Sequence, residues 1–469
     1  METVLLAAAP IESLDAYLAT DVGGLGLQRA QQLGPEATIE VIRASGLRGR
    51  GGGGFPTGRK WATIANAEGT HRYVVGNGAE GEPGTFKDRA LIRANPYQLV
   101  EGIMIAAFAV GAAEAFVGLK AKFAVEAARL TQAIEEMQAA GICENCPITI
   151  VEGPDEYLFG EEKAMLEVIE GNAPLPRLLP PYEHGLFANA PQMGWQATPL
   201  EPGHAGLHHS NPTLVNNVET LSNVPHILVK GADWFRSMGT PESPGTLVCT
   251  VVGDVVAPDF AEVELGTPLR AVIDGVGSGV GDGRNVKAVF SGVANPVITA
   301  ERLDVPLSYE GFAAAGAAMG TGGFIVFDDT ACMVEVARLF SRFLFVESCG
   351  QCQPCKLGSG EISSRLERLE AGVGDDRDIA SIGYWLETVT DGARCFLATE
   401  ERQVVASVLR AFAGEFAEHI ELRRCPRPRP LPLAKIDDLG GGRVVYDNRQ
   451  YLKQPDWTYL EAPAAGGAL

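Results

Sequence analysis

The stretch Ser45-Gly-Leu-Arg-Gly-Arg-Gly-Gly-Gly-Gly-Phe-Pro-Thr-Gly-Arg-Lys60 combines seven glycines with four cations, Arg48, Arg50, Arg59 and Lys60. Bare backbone lets a phosphate approach closely, and Arg or Lys neutralises it, so the composition suits an anion. Gly49, Gly51 and Gly54 satisfy the spacing G-x-G-x-x-G. The preceding segment, Ala37–Ala44, reads as helix rather than strand, and no acid stands about 20 residues further on. An ordinary dinucleotide fingerprint is therefore rejected. An anion-holding loop of an α/β domain and a flexible surface loop both fit these residues alone.

Outward from this loop, Gly and Pro punctuate residues 1 to 239. Strand patterns at Arg72–Gly76 and Ile148–Glu152 alternate with helical spacing at Tyr97–Ala113 and Ala127–Ala140. That alternation predicts an α/β unit. Gly245–Val252 and Val286–Phe290 read as strands of a small β-rich unit over 240–328, and the alternate glycines of Gly275–Gly283 read as a loop between them. From 329 to 424 the apolar spacing turns helical, at Cys332–Phe345, Glu361–Ala371, Asp378–Thr388 and Glu400–Ala417, predicting a small bundle. The prolines after Cys425 predict an extended linker. The tail, 425–469, carries Tyr451, Trp457 and Tyr459, which pack either on the body or on a partner.

Cys349, Cys352 and Cys355 form C-x-x-C-x-x-C, and Cys395 stands alone downstream. Three thiolates in one loop with a remote fourth is a common way to hold a [4Fe–4S] cube. Zinc is the competing metal, but its structural sites usually draw ligands as two pairs. Cys143 and Cys146 offer only two ligands and read as free thiols. Cys249 and Cys332 read as core residues, and Cys425 receives no role.

Three polar turns complete the motif set. Asn77-Gly-Ala-Glu-Gly-Glu-Pro-Gly-Thr-Phe-Lys-Asp-Arg89 closes a strand and could present Asn77 and Glu80 to a flavin or ribose. Tyr157-Leu-Phe-Gly-Glu-Glu162 pairs two acids where a helix N-terminus would also favour them. Asn211-Pro-Thr-Leu-Val-Asn-Asn-Val-Glu-Thr220 sets two amides before a helix, as a cap would. A solvated turn is the alternative for each.

The 469 residues carry a formal charge of −21, which disfavours nucleic acid and anionic membrane surfaces. No stretch reaches the roughly 20 apolar residues of a membrane span. The acidic N-terminus with its short apolar run does not read as an export signal, so a cytoplasmic chain, soluble or peripheral to a membrane complex, is expected. Metal ligation then outranks disulfides for the nine cysteines.

Taken in order, these segments resemble the NADH-binding flavoprotein subunit of respiratory complex I, a module shared with NAD-linked hydrogenases, NAD-dependent formate dehydrogenases and electron-bifurcating complexes. The resemblance spans residues from about 40 to 400. It implies a modified Rossmann-like FMN and NADH domain, a small β-grasp domain and a helical Fe–S domain. It implies that the loop residues Arg48, Gly49, Arg50, Gly51, Gly52, Gly54 and Phe55 hold FMN and nicotinamide nucleotide, with Lys60 near the FMN. It carries the family's N-A-D-E-x-E-P-G-T onto Asn77–Thr85, with Asn77, Glu80 and Glu82 as cofactor residues. It carries Y-I-C-G-E-E onto Tyr157–Glu162 (Tyr157, Gly160, Glu161, Glu162) and V-N-N-V-E-T onto Val215–Thr220 (Val215, Asn216, Asn217). Cys349, Cys352, Cys355 and Cys395 are the implied [4Fe–4S] ligands.

The chain departs from the family twice. The motif's Asp is Ala79, and the Lys of P-R-L-K-P-P-F is Leu179, with Tyr182 in the aromatic position. The implied activity is hydride transfer between NAD(H) and FMN followed by single-electron transfer, with no catalytic side chain. With no second cysteine set, the next acceptor is expected on partner subunits carrying further Fe–S clusters, including a small thioredoxin-like [2Fe–2S] subunit. The competing reading, motivated by Ala79 and Leu179, is a non-enzymatic electron-transfer or structural subunit.

Overall fold

In the computed structural model, residues 3–69, 71–188 and 210–461 are described. Four strands, β1 (Tyr73–Asn77), β2 (Glu114–Lys120), β3 (Ile148–Gly153) and β4 (Thr213–Asn217), form a parallel sheet in the order β3-β2-β1-β4. β1 and β4 have largely buried residues in unbroken runs, as strands covered on both faces do. β1 leads through the helices Lys87–Ala94 and Pro96–Val110 to β2, and β2 through the helix Ala124–Ala139 to β3. β4 lies on the other side of β1, so the winding direction reverses between them, with Asn77 and Asn217 in register.

The helix Pro96–Val110 is the spine of this unit. Asn95 caps it by accepting from the Gln98 amide, and every residue except Phe108 is buried. Gly102 lets it lie against the helix Val218–Lys230, because a Cβ there would meet the Leu221 carbonyl oxygen at 2.1 Å. This helix and both strands fall where the periodicity placed them.

The second sheet has the order β6-β5-β9-β7-β8, from β5 (Thr246–Gly253), β6 (Asp259–Glu264), β7 (Val286–Ser291), β8 (Ile298–Thr299) and β9 (Gly323–Asp328). β5 and β9 pair in parallel; the other pairs are antiparallel. The helix Leu269–Val276 packs on β5 and β6 and runs into the glycine stretch expected as loop, ending at Gly277.

Five helices follow: Met333–Glu347, Gln353–Glu370, Asp376–Thr388, Leu397–Ala411 and Ala413–Leu422. Two differ from expectation. The second begins at Gln353, not near Glu361, with Pro354 in the first turn where its missing N–H costs nothing. The run expected over Glu400–Ala417 breaks at Phe412, whose φ of −124° leaves the helical region, and the weak helix former Gly414 follows.

The expected extended tail contains a hairpin, β10 (Ile436–Gly440) and β11 (Arg443–Tyr446), joined through Gly441 and Gly442, both with positive φ. It packs on the body as a strap. Ala434 accepts from the Gly84 amide, Arg89 donates to the Ile436 and Asp437 carbonyls, and Trp457 donates to the Val346 carbonyl. Lys453 forms an ion pair with Glu347 at 2.9 Å, both fully buried. Among the described residues no helix is long and apolar enough to cross a membrane.

Candidate functional site

The carboxyl ends of β1 and β4 open where the sheet's winding reverses, the place at which α/β sheets leave a crevice. The glycine loop leans over this point. Its base is closed by two backbone bonds, Thr57 N to Leu47 O and Gly49 N to Phe55 O. Its tip is tied to the β4 motif, the Arg50 amide donating to Thr220 Oγ1 at 2.9 Å and Gly51 lying against Asn217. Gly54 has φ +58°, and a Cβ there would strike the Tyr309 ring at 2.3 Å, while beside Gly53 and Gly160 the space is open.

The loop's cations divide. Arg50 is buried and donates to the carbonyls of Arg48, Pro244 and Thr246. Arg48 donates to Gly54 O and lies 4.1 Å over the Tyr309 ring, whose hydroxyl donates to Gly49 O. Lys60 pairs with Glu162 at 2.6 Å, both partly exposed. Gly52 holds φ +108°, and the Phe55 ring stands half exposed beside Arg59.

The amides at the strand ends organise backbone. Asn77 donates to Gly160 O and accepts from Ala79 N. Asn216 accepts from the Trp61 indole, and Asn217 caps the following helix through Glu219 N while donating to Asp88. Val215 and Ala79 are core residues of one apolar cluster. Glu80, at φ +28°, accepts from the Asp88 amide and from Arg89 at 2.6 Å.

Sequence reading did not assign roles to the charges beneath. Lys87 is buried, 2.6 Å from Asp88, 2.9 Å from Glu219 and 2.9 Å from the Asn217 side-chain oxygen. Burial opposes its charge, yet the two carboxylates hold its pKa above the ordinary lysine value. Burial also pushes Asp88 up to about 7. Tyr309 was missed as well, since nothing near it in sequence marks it.

The second site is a cavity lined by Cys349, Cys352, Cys355 and Cys395 with Leu158, Pro176, Ser348, Ala393, Arg394, Leu397 and Ala398. Cys352 caps the helix Gln353–Glu370 and Cys355 lies in its first turn, while Cys395 precedes the helix Leu397–Ala411. The Arg394 amide points at Cys352 Sγ at 3.3 Å, Gln351 Nε2 at Cys349 Sγ at 3.7 Å, and Ser348 Oγ lies 3.4 Å from Cys355 Sγ. Donors aimed at sulfur suit thiolates bound to iron. As a free thiol, Cys355 is pushed up to about 11 by burial.

One short segment joins the two sites. Leu158 lines the cysteine cavity, while two residues on the Gly160 carbonyl holds Asn77 at the sheet end. Tyr157 donates to Glu82 and, at 3.2 Å, to Glu400. Burial pushes Glu82 up to about 7 and Glu400 up to about 8. Glu161 accepts the Lys163 and Ala164 amides as the cap of the helix Glu162–Ile169, and burial lifts it to about 7. Tyr182 keeps an exposed ring, and Leu179 is half-buried near it in sequence. Cys143 and Cys146 are buried in the core around the first sheet, as expected of free thiols.

Residues 42–226 match the family model described as the Nuo51 FMN-binding domain. Residues 335–419 match the NADH-ubiquinone oxidoreductase-F iron-sulfur binding region. The chain is 38% identical over 401 residues to the second F subunit of the NADH-quinone oxidoreductase of Rhizobium meliloti (strain 1021), an alignment covering 84% of this chain and 90% of that one. It belongs to the family of NADH-quinone oxidoreductase F subunits. A further relative is the NADP-reducing hydrogenase subunit HndC of Solidesulfovibrio fructosivorans, 35% identical over 88% of this chain and 82% of its own. The fold also superposes on a chain of an NAD+-reducing [NiFe]-hydrogenase in the H2-reduced state, with TM-score 0.73 and 31% identity, covering 92% of this chain and 68% of that one.

Proposed function

We propose that this chain is the NADH-oxidising flavoprotein subunit of a multi-subunit oxidoreductase, taking FMN at the sheet end and one [4Fe–4S] cluster in the cysteine cavity. The observation that carries this is the segment Tyr157–Glu162, which borders both sites within six residues. Bound FMN supplies two-electron chemistry toward the nicotinamide and one-electron chemistry toward the cluster.

This chain's residues bind and orient. The backbone of Gly49–Gly54 faces the flavin phosphate and Arg48 and Lys60 neutralise it. Asn77 and Asn217 set the strand ends, and Glu80, Glu82, Glu161 and Glu162 shape the polar wall. Tyr182 offers its ring to adenine. The four cysteines hold the cluster. No side chain need donate or accept a proton in hydride transfer.

The units are 1–239, a modified Rossmann-like FMN/NADH domain; 240–328, a β-grasp domain; 329–424, the helical Fe–S domain; and 425–469, the strap. The second sheet, with its single packed helix, supports the β-grasp assignment. Partner subunits with further Fe–S clusters, among them a thioredoxin-like [2Fe–2S] subunit, receive the electrons on the cytoplasmic side. The half-buried Leu179 favours a second reading, an electron-transfer subunit without nucleotide binding.

Anaerobic titration of purified protein with NADH and NADPH separates the two readings. Bleaching of flavin absorbance by NADH is expected. Flavin that stays oxidised under saturating amounts of both nucleotides overturns the enzyme reading. Acid-released flavin should chromatograph as FMN, and FAD would refute that assignment.

A further inference from the structure

Three residues outside every motif above meet in the helical part. Cys332 caps the helix Met333–Glu347, His419 lies in the helix Ala413–Leu422, and Cys425 opens the proline-rich stretch. Their ligand atoms all lie within 4.8 Å of one another, and Cys332 and His419 are buried. Cys332 Sγ is 3.4 Å from His419 Nε2. In a tetrahedral zinc site, Zn–S and Zn–N bonds of about 2.3 and 2.0–2.1 Å place sulfur and nitrogen about 3.6 Å apart.

The histidine's orientation is informative. Its Nδ1 lies 2.7 Å from the Glu415 carbonyl oxygen. A carbonyl only accepts, so Nδ1 carries the hydrogen and Nε2 presents a lone pair to the two sulfurs. A backbone carbonyl holding the far nitrogen is the usual support of a metal-bound imidazole. The backbone N–H groups of Val334 and Glu335 point at the Cys332 sulfur, as the start of a helix allows, and favour a thiolate. Two thiolates would balance the charge of a divalent ion.

The geometry points to a second metal site, in which Cys332, His419 and Cys425 bind one zinc-class divalent cation with water in the fourth position. Cys425 is only partly buried, which leaves that position a path to solvent. The ion would clamp three stretches: the helix start after β9, the last helix and the first residue of the strap. The role is structural, and the site does not rest on the redox function proposed above.

Metal analysis of the full-length protein, purified anaerobically and incubated with stoichiometric zinc, tests this. One zinc per chain is expected in addition to cluster iron, with X-ray absorption showing two sulfurs and one imidazole nitrogen on it. Cys425→Ser and His419→Gln should each lower zinc below a tenth per chain and leave iron unchanged. Should the variants not fold, alkylation of wild-type Cys425 serves instead, expected to be at least tenfold slower with zinc than after chelation. Zinc absent from the wild type, zinc retained by the variants, equal alkylation rates, or a Cys332–Cys425 disulfide in the anaerobic protein would each overturn the site.

Discussion

The end of the parallel sheet and the cysteine cavity share the segment Tyr157–Glu162 but are built by opposite means. At the sheet end, many of the motif side chains hold backbone in place. Arg50 donates to three carbonyls, Asn217 caps a helix and Glu80 secures Arg89, while open space lies beside Gly53. In the cavity the motif side chains themselves line the wall. A motif residue in a backbone-built site therefore acts through folding, whereas one in a side-chain-built site acts as the ligand. Substitutions should separate the two.

The largest effect is expected at the cavity. Cys395→Ser should reduce iron from about four per chain to below one, with flavin retained. Iron and sulfide analysis beside flavin absorbance reads both sites together, and parallel loss of flavin would break the distinction between them.

Next is Lys87→Met, which leaves Asp88 and Glu219 facing each other without their cation. Removing one partner of a buried ion pair costs about 3–5 kcal/mol. Denaturant titration of the flavin-free protein should show that loss. Full stability with flavin lost would make Lys87 a direct ligand and undo the folding interpretation.

The seam between the sites is tested by pH. Glu82 and Glu400 are both raised by burial in the folded protein, to about 7 and about 8. Between the unfolded value of 4.5 and neutrality the folded state holds protons that the unfolded state has released. Stability is thus greatest at acid pH and falls as pH rises through 7 to 8. Glu82→Gln should flatten that slope and gain about 2–3 kcal/mol at pH 8, fading to nothing below pH 4.5. Thermal melts of flavin-free protein across this range check it, and an unchanged slope would remove Glu82 from the seam.

The smallest effect is expected at Leu179. Supplying a solvent-screened cation with Leu179→Lys should tighten NADH by about 1 kcal/mol, roughly fivefold. The Michaelis constant reads it directly. No change would mean that nucleotide binding here never depended on that position.

Much of this was legible in sequence because the information is local. The apolar runs of Tyr73–Asn77 and Ile148–Gly153, the helical spacing of Pro96–Val110 and the C-x-x-C-x-x-C triplet each lie within about 15 residues, the span over which periodicity expresses burial of one face. The strap's hairpin was missed because its prolines dominated the reading and Gly441-Gly442 was not weighed as a turn. The break at Phe412 was missed because apolar spacing continues across it.

By itself the sequence determined the order of elements, the cysteine ligand set and the glycine loop's lack of side chains. Only tertiary structure decided which groups meet across long separations. Tyr309 reaches Gly49 across 260 positions, Tyr157 reaches Glu400 across 243, and Cys332 reaches His419 across 87. No local pattern encodes such contacts, because each depends on how whole sheets and helices pack, and packing is settled by shape and burial summed over the entire core.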